Sequence, residues 1–300
     1  MIRRFHVCSA LLVWMLVALA AQSNLLADEP VVASVEVANK IELADKELTE
    51  SSGMVFSSKD PTCIWSHNDS GDRARLFAFD SKTGETTGHW ELPGITAVDW
   101  EDLAILPPLQ SDRPARLVIA DCGDNQRQRD HIELLIVDEM DPRKSGEVAR
   151  DDVHVLRVKY PHGPQDCEAI WFDEPSGELI LLCKRFTPWV GLYRVALVNG
   201  SSGRLNRDIE AELIIRLPLA LATAADRDPA TGDVWVSTYW QAFQFAKADH
   251  ATLKHQMSRT PAAFDLPKLK QIEAIAVDSK SDVWVTSEGS PAPLVRLDVR

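Results

Sequence analysis

The sequence predicts an all-β fold, a β-propeller of five four-stranded blades in which the N-terminal strand closes the last blade. Three observations support this prediction. A strand–turn–strand pattern recurs five times, a third strand follows every copy, and the unit at the C-terminal end lacks a fourth strand that the N-terminal end can supply. Repeated short strands are typical of folds in which units of the same kind are arranged around an axis.

The recurring pattern is an apolar strand with a polar residue at its head, a turn rich in Gly, Pro or Asp, and a second strand rich in β-branched residues and Trp. Its copies read SGMVFS…TCIWSHNDSGD, EDLAIL…RLVIADCGDN, EAIWFDEPSGELILLCKR, TAADRDPATGDVWVSTY and EAIAVDSKSDVWVTSEG. The third strands read RLFAFD, IELLIVDE, GLYRVAL, AFQFAK and PLVRLDV. We expect Trp171, Trp235 and Trp284, which occupy strand positions, to pack between blades.

The fourth strands read GHWELP, VHVLRVKYP and AELIIRLPL, and less distinctly the segment His255–Arg259. The fifth unit ends after its third strand, and ASVEVANKIEL at Ala33–Leu43 supplies the missing one, which hides the open edges. We therefore predict a single propeller domain over residues 33–300. Two alternatives stay open: a β-sandwich or open antiparallel array, and six blades if Arg127–Val158 contains another unit.

The N-terminal end carries the features of a secretory signal. Two arginines precede an apolar run from Val7 to Ala21, and Ala18 and Ala20 give the small-x-small pattern of a cleavage site. The run is shorter than the roughly 20 residues that span a bilayer. We predict a signal peptide at 1–20, a linker at 21–32, and an exported protein, periplasmic or extracellular, with no stable membrane insertion after cleavage.

The formal net charge is -13, and the predicted cleavage removes two arginines and no acid, which makes it -15. Such an acidic surface argues against nucleic acid and anionic membranes as partners. It favours metal ions or cationic ligands instead.

Four cysteines lie beyond the predicted signal: Cys63, Cys122, Cys167 and Cys183. Cys167 and Cys183 are expected to lie near one another across a hairpin. A disulfide and two buried free thiols are both open, since four cysteines are too few to be the framework of a chain this long.

The polar heads of the five first strands occupy one equivalent position, and we call them the ring: Ser52, Glu101, Glu168, Thr223 and Glu273. The first strand of each blade lines the central channel, so these side chains should converge around the axis. Because second strands end where first strands begin, we expect further polar residues at the same end, which we call the mouth. They are Asn68, Asp69, Asp121, Asp124, Lys184, Tyr239 and Glu288, flanked by Asp99, Asp102 and Asp166.

So many carboxylates in one funnel raise one another's pKa values unless a cation neutralises them. Oxygen-only ligands suit calcium, which accepts roughly 6 to 8 oxygens at flexible geometry, better than magnesium, which demands an octahedron. Zinc is disfavoured because no His or Cys cluster accompanies the ring. The alternative is that the ring residues bind the backbone of the next blade or channel water, and composition alone leaves both interpretations open.

The segments TESSGMVF, DWEDLAI, DCEAIWF, LATAAD and KQIEAIAV follow the order Ser, Glu, Glu, Ser or Thr, Glu, and NDSGD forms an acidic turn. This order resembles the calcium-activated apyrases, soluble nucleotidases with a five-bladed propeller and a calcium ion in the channel. The resemblance implies that the ring residues are calcium ligands and that Lys184 and Arg185 match that family's paired basic residues. The apyrases' Asp-Leu-Asp segment has no counterpart in ASVEVANKIELADKEL, and Thr223 replaces serine.

Five segments are also similar to those of exported bacterial propeller proteins without a settled activity: SHNDSGD, VDWEDLAI, ADCGDN, EAI and TSEG. Two functions follow as hypotheses. The first is a calcium-stabilised module that binds a small molecule or a protein at the acidic mouth. The second is a calcium-dependent hydrolase of phosphoester or nucleotide-like substrates.

In a hydrolase of this kind, Lys184 and Arg185 would offset substrate charge. One of Asp69, Asp99 or Asp121 would orient the attacking water. The sequence contains no G-x-S-x-G, H-E-x-x-H, P-loop or C-x-x-C pattern, so it lacks the common signatures of other hydrolase, metalloprotease, nucleotide-binding and redox sites.

Overall fold

Five separate sheets surround a central channel as the blades of a β-propeller. The computed structural model describes residues 32–108, 111–197 and 207–299. The first strands of the sheets pack against one another in a closed circle, so the all-β, five-bladed prediction is confirmed. A β-sandwich, an open array and a six-bladed ring are excluded by this arrangement.

Blades 1 to 3 follow the two N-terminal strands β1 (Val32–Ser34) and β2 (Glu36–Leu43). Blade 1 consists of β3 (Ser51–Phe56), β4 (Cys63–Asn68), β5 (Arg75–Asp80) and β6 (Thr86–Glu91). Blade 2 consists of β7 (Trp100–Leu106), β8 (Arg116–Asp121), β9 (Ile132–Asp138) and, after the short β10 (Gly146–Glu147), β11 (His154–Lys159). Blade 3 consists of β12 (Cys167–Asp173), β13 (Glu178–Cys183), β14 (Val190–Ala196) and, after β15 (Arg207–Glu210), β16 (Glu212–Leu217).

Blades 4 and 5 complete the circle. Blade 4 consists of β17 (Ala222–Arg227), β18 (Val234–Thr238), β19 (Gln241–Phe245) and β20 (Ala262–Asp265). Blade 5 consists of β21 (Ile272–Val277), β22 (Val283–Ser287) and β23 (Ala292–Asp298), and β2 is its fourth strand. β2 runs antiparallel to β23, from Glu36 opposite Asp298 to Leu43 opposite Ala292. The predicted closure of the last blade by the N-terminal strand is therefore confirmed.

The predicted fourth strand of blade 4 at His255–Arg259 is wrong. A short helix, α1 (Leu253–Met257), occupies this stretch and begins where the Thr252 hydroxyl accepts a hydrogen bond from the His255 amide. The buried Gln256 side chain donates to the Phe245 carbonyl at 2.7 Å, which ties the helix to β19. A capped turn thus competes successfully with a short apolar run, and the true fourth strand follows as β20.

Three blades carry an additional outer strand that the sequence did not predict. β10 lies parallel to β6, β15 parallel to β11, and β1 parallel to β20. Each strand comes from another part of the chain and covers an outer edge. The segment Arg127–Val158, which we considered as a sixth blade, contributes strands to blade 2 and the edge strand of blade 1.

Apolar side chains fill the spaces between neighbouring blades. Trp171 packs in the cluster between blades 3 and 4, Trp235 in the cluster between blades 4 and 5, and Trp284 in the cluster between blades 5 and 1. The expectation for these three tryptophans is confirmed. Burial of such large side chains on facing sheets stabilises the circle of blades.

The predicted signal peptide at 1–20 and all but the last residue of the predicted linker lie outside the described residues. Within the described ranges, no helix is long and apolar enough to cross a membrane. Cys167 lies opposite Cys183 across the β12–β13 hairpin, as expected. Both are buried free thiols, as are Cys63 and Cys122.

Candidate functional site

The five ring residues coincide with irregularities in the first strands. In β7 the pairing register shifts between Trp100 and Asp102, and Glu101 is the extra residue. The same interruption occurs at Glu168, Thr223 and Glu273, and in β3 it covers Ser52 together with Gly53. A bulge leaves one residue outside the ladder and re-aims its side chain. The repeat therefore places five non-laddered side chains at one level of the channel.

An acidic cluster lies at this level and consists of Asp69, Asp99 and Glu101. One carboxylate oxygen from each of the three lies within 4.8 Å of the other two. Asp69 follows β4, and Asp99 precedes β7. A Cβ at Gly123 would collide with the carboxylates of Glu101 and Asp99, so only glycine at this position lets them approach its backbone so closely.

The two other ring carboxylates each leave one oxygen without a partner. The Lys184 ammonium lies 2.6 Å from Glu168 Oε2, but the buried Glu168 Oε1 has no hydrogen-bond donor among the described residues. Glu273 Oε1 accepts from the Gln271 side chain at 3.2 Å, and Glu273 Oε2 likewise lacks a donor in the described part of the chain. Buried carboxylate oxygens normally have partners, so these two are suited to a cation.

The carboxylates of the mouth hold their protons more tightly than ordinary carboxyl groups. Burial raises the pKa of Glu168 to about 8, although Lys184 opposes the shift. Burial and neighbouring carboxylates raise the pKa of Glu273 to about 7 and that of Asp99 to about 6. The pKa of Glu101 is raised well above its ordinary value by burial and by the charge of Glu168. Burial is the largest cause of these shifts and neighbouring carboxylates add to it, so a bound cation would favour the ionised forms.

The two hydroxyl members of the ring have protein partners. Ser52 Oγ donates to the Glu101 carbonyl at 2.6 Å and so links blade 1 to blade 2. Thr223 Oγ1 lies 3.2 Å from Ser237 Oγ within blade 4. The backbone-binding alternative from the sequence describes Ser52 well, and it does not describe Glu168 or Glu273.

Several other predicted mouth residues shape the surrounding loops. Asp121 is buried, accepts from the Val98 amide at 2.9 Å, and lies 2.7 Å from the Arg129 guanidinium. The Asn68 side chain accepts from two backbone amides, those of Thr49 and Glu50. Three more residues fall in this group: Asp124 and Asp166, which are joined by a hydrogen bond from the Asp124 amide to the Asp166 carboxylate, and Glu288, which pairs with Lys270.

The prediction that Asp102 flanks the mouth is wrong. Its carboxylate is fully buried, and Oδ2 accepts from the Ile170 amide of blade 3 at 2.8 Å. Asp102 is the first residue after the bulge, and its two carboxylate oxygens accept from the Leu103 and Ile170 amides. Asp226 makes the corresponding link from blade 4 to the Val277 amide of blade 5 at 2.8 Å.

The basic residues differ in their contribution. The Lys184 ammonium bonds to Glu168 and lies 5.9 Å from the centre of the Tyr239 ring. Arg185, the second residue of the predicted basic pair, contributes its carbonyl, which accepts from the Leu221 amide at 2.8 Å. The paired positions therefore combine one cation at the ring with one backbone link between blades 3 and 4.

An aromatic rim, which sequence reasoning missed, lies on the loops at the same end of the channel. It consists of Phe186, Trp189 and Trp240, which are 89%, 60% and 63% exposed. The first two follow β13 and the third follows β18, where second strands end. The available signal was the placement of large aromatics in a Pro-containing loop, KRFTPWVG, rather than in a strand.

No family model matches the chain, and no curated protein is significantly similar to it. Solved structures do share its architecture. The PQQ-bound form of an aldose sugar dehydrogenase from Streptomyces coelicolor is 14% identical, with a TM-score of 0.51, over 90% of this chain and 99% of that one. A glucose dehydrogenase is 8% identical, with a TM-score of 0.51, over 87% of this chain and 100% of that one.

At such low identity the likeness shows the fold alone. The resemblance to the calcium-activated apyrases stays a prediction, as do the assignments of Asp69, Asp99, Asp121, Lys184 and Arg185 as candidate catalytic residues.

Proposed function

We propose that the mouth holds a calcium ion and that the protein acts as an exported binding module for a ligand or protein at this acidic end. The observation that carries the proposal is the pair of buried, unpartnered carboxylate oxygens on Glu168 and Glu273. They belong to the same ring level as Glu101, which is part of the acidic cluster. The carboxyl groups of Glu168 and Glu273 both have raised pKa values in the absence of a cation.

The donors available at the mouth fit the proposed ion. Asp69, Asp99, Glu101, Glu168 and Glu273 offer only carboxylate oxygens, and water would complete a shell of roughly 6 to 8 ligands. Ser52 and Thr223 keep oxygen lone pairs on the same ring and are proposed as its weaker members. The acidic cluster contains no His or Cys among the described residues, which disfavours zinc.

A cation here would act chiefly through charge. It would attract the carboxylates of four blades, because Glu101 and Asp99 belong to blade 2 and the others to blades 1, 3 and 5. The circle of first strands would then be held at the channel as well as at the apolar interfaces. Such a rigid mouth is a suitable platform for a second molecule.

Thermal unfolding after chelation, and then with added calcium or magnesium, tests the proposal. An ion that binds only the folded state at 100 times its dissociation constant adds about 2.7 kcal/mol. We expect a rise in Tm that is larger for calcium and is lost in Glu168→Gln. Asp112→Asn, which removes a charge from an exposed loop at the opposite end of blade 2, is the matched control and should keep the rise.

A wild-type protein that responds to neither ion would refute the metal site. A response that survives in Glu168→Gln would remove Glu168 from it.

The second candidate function is calcium-dependent hydrolysis of phosphoester or nucleotide-like substrates, favoured by Asp99. This partly buried carboxylate lies in the acidic cluster beside Asp69 and Glu101, where it would orient a water molecule next to the ion. Asp121 is less suited to this role because Arg129 and backbone amides occupy it.

The hydrolase is tested by measuring phosphate release from nucleoside diphosphates with calcium present. Activity should fall at least 100-fold in Asp99→Asn if Asp99 orients the water. Calcium stabilisation without any phosphate release would leave the binding module as the function.

A further inference from the structure

We propose that the aromatic rim is an interface for a partner protein that presents a basic segment, so that arginine or lysine side chains contact the rim and the acidic mouth together. This inference rests on the proposed function of the mouth as a binding face and names the class of its partner. Its two components, exposed aromatics and excess negative charge, come from independent observations.

The rim side chains are exposed although they are large and apolar. Large apolar side chains are usually buried, and clusters of exposed ones mark interaction sites. Phe186, Trp189 and Trp240 come from neighbouring blades 3 and 4, and the Leu221 amide links these blades by donating to the Arg185 carbonyl. Exposed aromatic residues of this kind are enriched at the centres of protein interfaces.

The backbone conformation differs at the two tryptophans of the rim. Trp189 has a φ of 77°, a left-handed conformation that is costly for a bulky residue. The Trp240 amide donates to Thr238 Oγ1 at 3.3 Å, and the Trp240 carbonyl accepts from the Leu266 amide at 2.7 Å. The Trp240 side chain is therefore presented to solvent by a hydrogen-bonded chain segment, which lowers the entropic cost of binding.

The rim is connected to the mouth through Tyr239. The Trp240 ring lies edge-on to the Tyr239 ring at 5.7 Å, and the Lys184 ammonium lies 5.9 Å from the same Tyr239 ring. Lys184 in turn bonds to Glu168 of the ring. A molecule resting on the rim is thus next to the acidic mouth.

Charge identifies the partner as basic. The acidic cluster with Glu168 and Glu273 supplies five carboxylates against the single ammonium of Lys184, so even a bound divalent cation leaves a formal charge of -2 when all five are ionised. Glu50, which is exposed and raises the pKa of Asp69, adds to this field. Guanidinium and ammonium groups are attracted both to carboxylates and to aromatic faces.

Exposure identifies the partner as a protein rather than a small organic cation. Small-molecule sites are concave and bury most of the ligand, whereas the rim side chains are 60% to 89% exposed and are therefore mostly uncovered. Projecting aromatic side chains of this kind fit into a partner surface.

Calorimetric titration at 0.15 M salt tests the inference with three probes: a tetra-arginine peptide, the neutral tetra-citrulline peptide and spermine. We expect the arginine peptide to bind with and without calcium and the citrulline peptide not to bind. The double variant Trp189→Ala/Trp240→Ala, which changes no charge, should weaken arginine-peptide binding at least tenfold. Glu50→Gln at the mouth should weaken it about twofold to threefold.

The control variants are Val37→Ala, an exposed apolar residue on β2, and Asp112→Asn at the opposite end of blade 2. Both should bind the arginine peptide as the unchanged protein does. Equal binding by all variants would identify non-specific attraction to an acidic surface and overturn the inference. Spermine binding as tight as the peptide's, and lost in the double variant, would overturn it in favour of a small organic cation. No binding of the arginine peptide would also overturn it.

The Tm of the double variant with and without calcium separates this inference from the metal proposal. A calcium-dependent rise that persists in the double variant, together with weakened peptide binding, supports both. Rim-dependent peptide binding in a protein that does not respond to calcium would refute the metal site and leave the basic-partner interface standing. A calcium response without rim-dependent peptide binding would support the metal site and overturn the basic-partner interface.

Discussion

Two levels of buried carboxylates in the same channel differ in what surrounds their oxygens. At the ring, Glu168 and Glu273 each have an oxygen with no donor among the described residues. At what we call the deeper level, one and three residues beyond the ring positions of their strands, Asp102 and Asp226 accept backbone amides of the next blade at 2.8 Å. Burial raises the pKa values at both levels, to about 7 for Asp226 and to about 8 for Glu168.

The difference distinguishes carboxylates that stabilise the fold from carboxylates that are available to bind a ligand. A carboxylate that accepts amides from another blade contributes to the fold, and burial is the main cause of its raised pKa. A carboxylate with an unpartnered oxygen lacks a hydrogen bond that would offset the cost of its burial. It therefore lowers the stability of the protein until a ligand binds to that oxygen. The deeper level therefore serves the fold, and the ring is available for binding.

The largest expected effect is on the deeper level. Asp102→Ala leaves the Ile170 and Leu103 amides without their acceptor and should lower the free energy of unfolding by about 3 kcal/mol. Urea unfolding measures the loss. Asp102→Asn keeps one acceptor oxygen and should lose less, and neither variant should change the Tm increment caused by calcium. A stable Asp102→Ala protein would mean that the two levels do not differ in this way.

The next effect is a pH dependence of the ring. The folded-state pKa values of Glu168 and Glu273 lie above the ordinary 4.5, so the folded protein binds more protons than the unfolded chain. Without calcium, these two groups should make stability fall as the pH rises from about 4.5 to about 8.

With saturating calcium the ring carboxylates are ionised in the complex, so this fall should disappear. Unfolding in urea across that pH range, with chelator and with calcium, gives both curves. Parallel curves would contradict a cation at the ring.

A smaller effect is expected from Lys184, whose ammonium group is the positive charge nearest to Glu168. The Lys184 ammonium occupies Glu168 Oε2 and repels a calcium ion. Lys184→Met should therefore tighten calcium binding by about fivefold, or roughly 1 kcal/mol, as measured by calorimetry. Lys270→Met, which removes an exposed ammonium paired with Glu288, is the matched control and should have less effect. Weaker calcium binding in Lys184→Met would indicate that Lys184 organises the site instead.

The smallest effect is expected at a ring hydroxyl. Thr223→Val removes the contact with Ser237 and should cost about 1 kcal/mol of stability. The calcium-dependent rise in Tm should persist, because carboxylates supply most of the attraction, and Thr223→Ser should behave as the unchanged protein. Complete loss of the rise in Thr223→Val alone would make this hydroxyl an indispensable ligand.

The repeat made the blades and the ring predictable, because Glu101, Glu168 and Glu273 recur at the head of the same apolar strand. Bulges were not predictable, since a register shift depends on the neighbouring strand and leaves no periodic trace. For that reason Asp102 was expected at the mouth beside Glu101, although its carboxylate accepts the Leu103 and Ile170 amides instead. Metal binding itself stays a prediction.

Contacts between distant parts of the chain were also not predictable from the sequence. The short strand β10 joins β6 from another blade, and nothing in its two residues indicates this pairing. At His255–Arg259 a helix cap prevailed over a weak strand pattern. The aromatic rim was missed because Phe186, Trp189 and Trp240 lie in loops, where apolar residues have no period to follow.

The pairing of β2 with β23 sets the order in which the protein can be completed. Glu36 meets Asp298 and Leu43 meets Ala292, so the contact joins the first and last parts of the described chain. Pairings between such distant segments form slowly, and during synthesis β2 has no partner until β23 leaves the ribosome. A chain that stops before Ala292 would retain two open sheet edges and would be prone to associate with other chains.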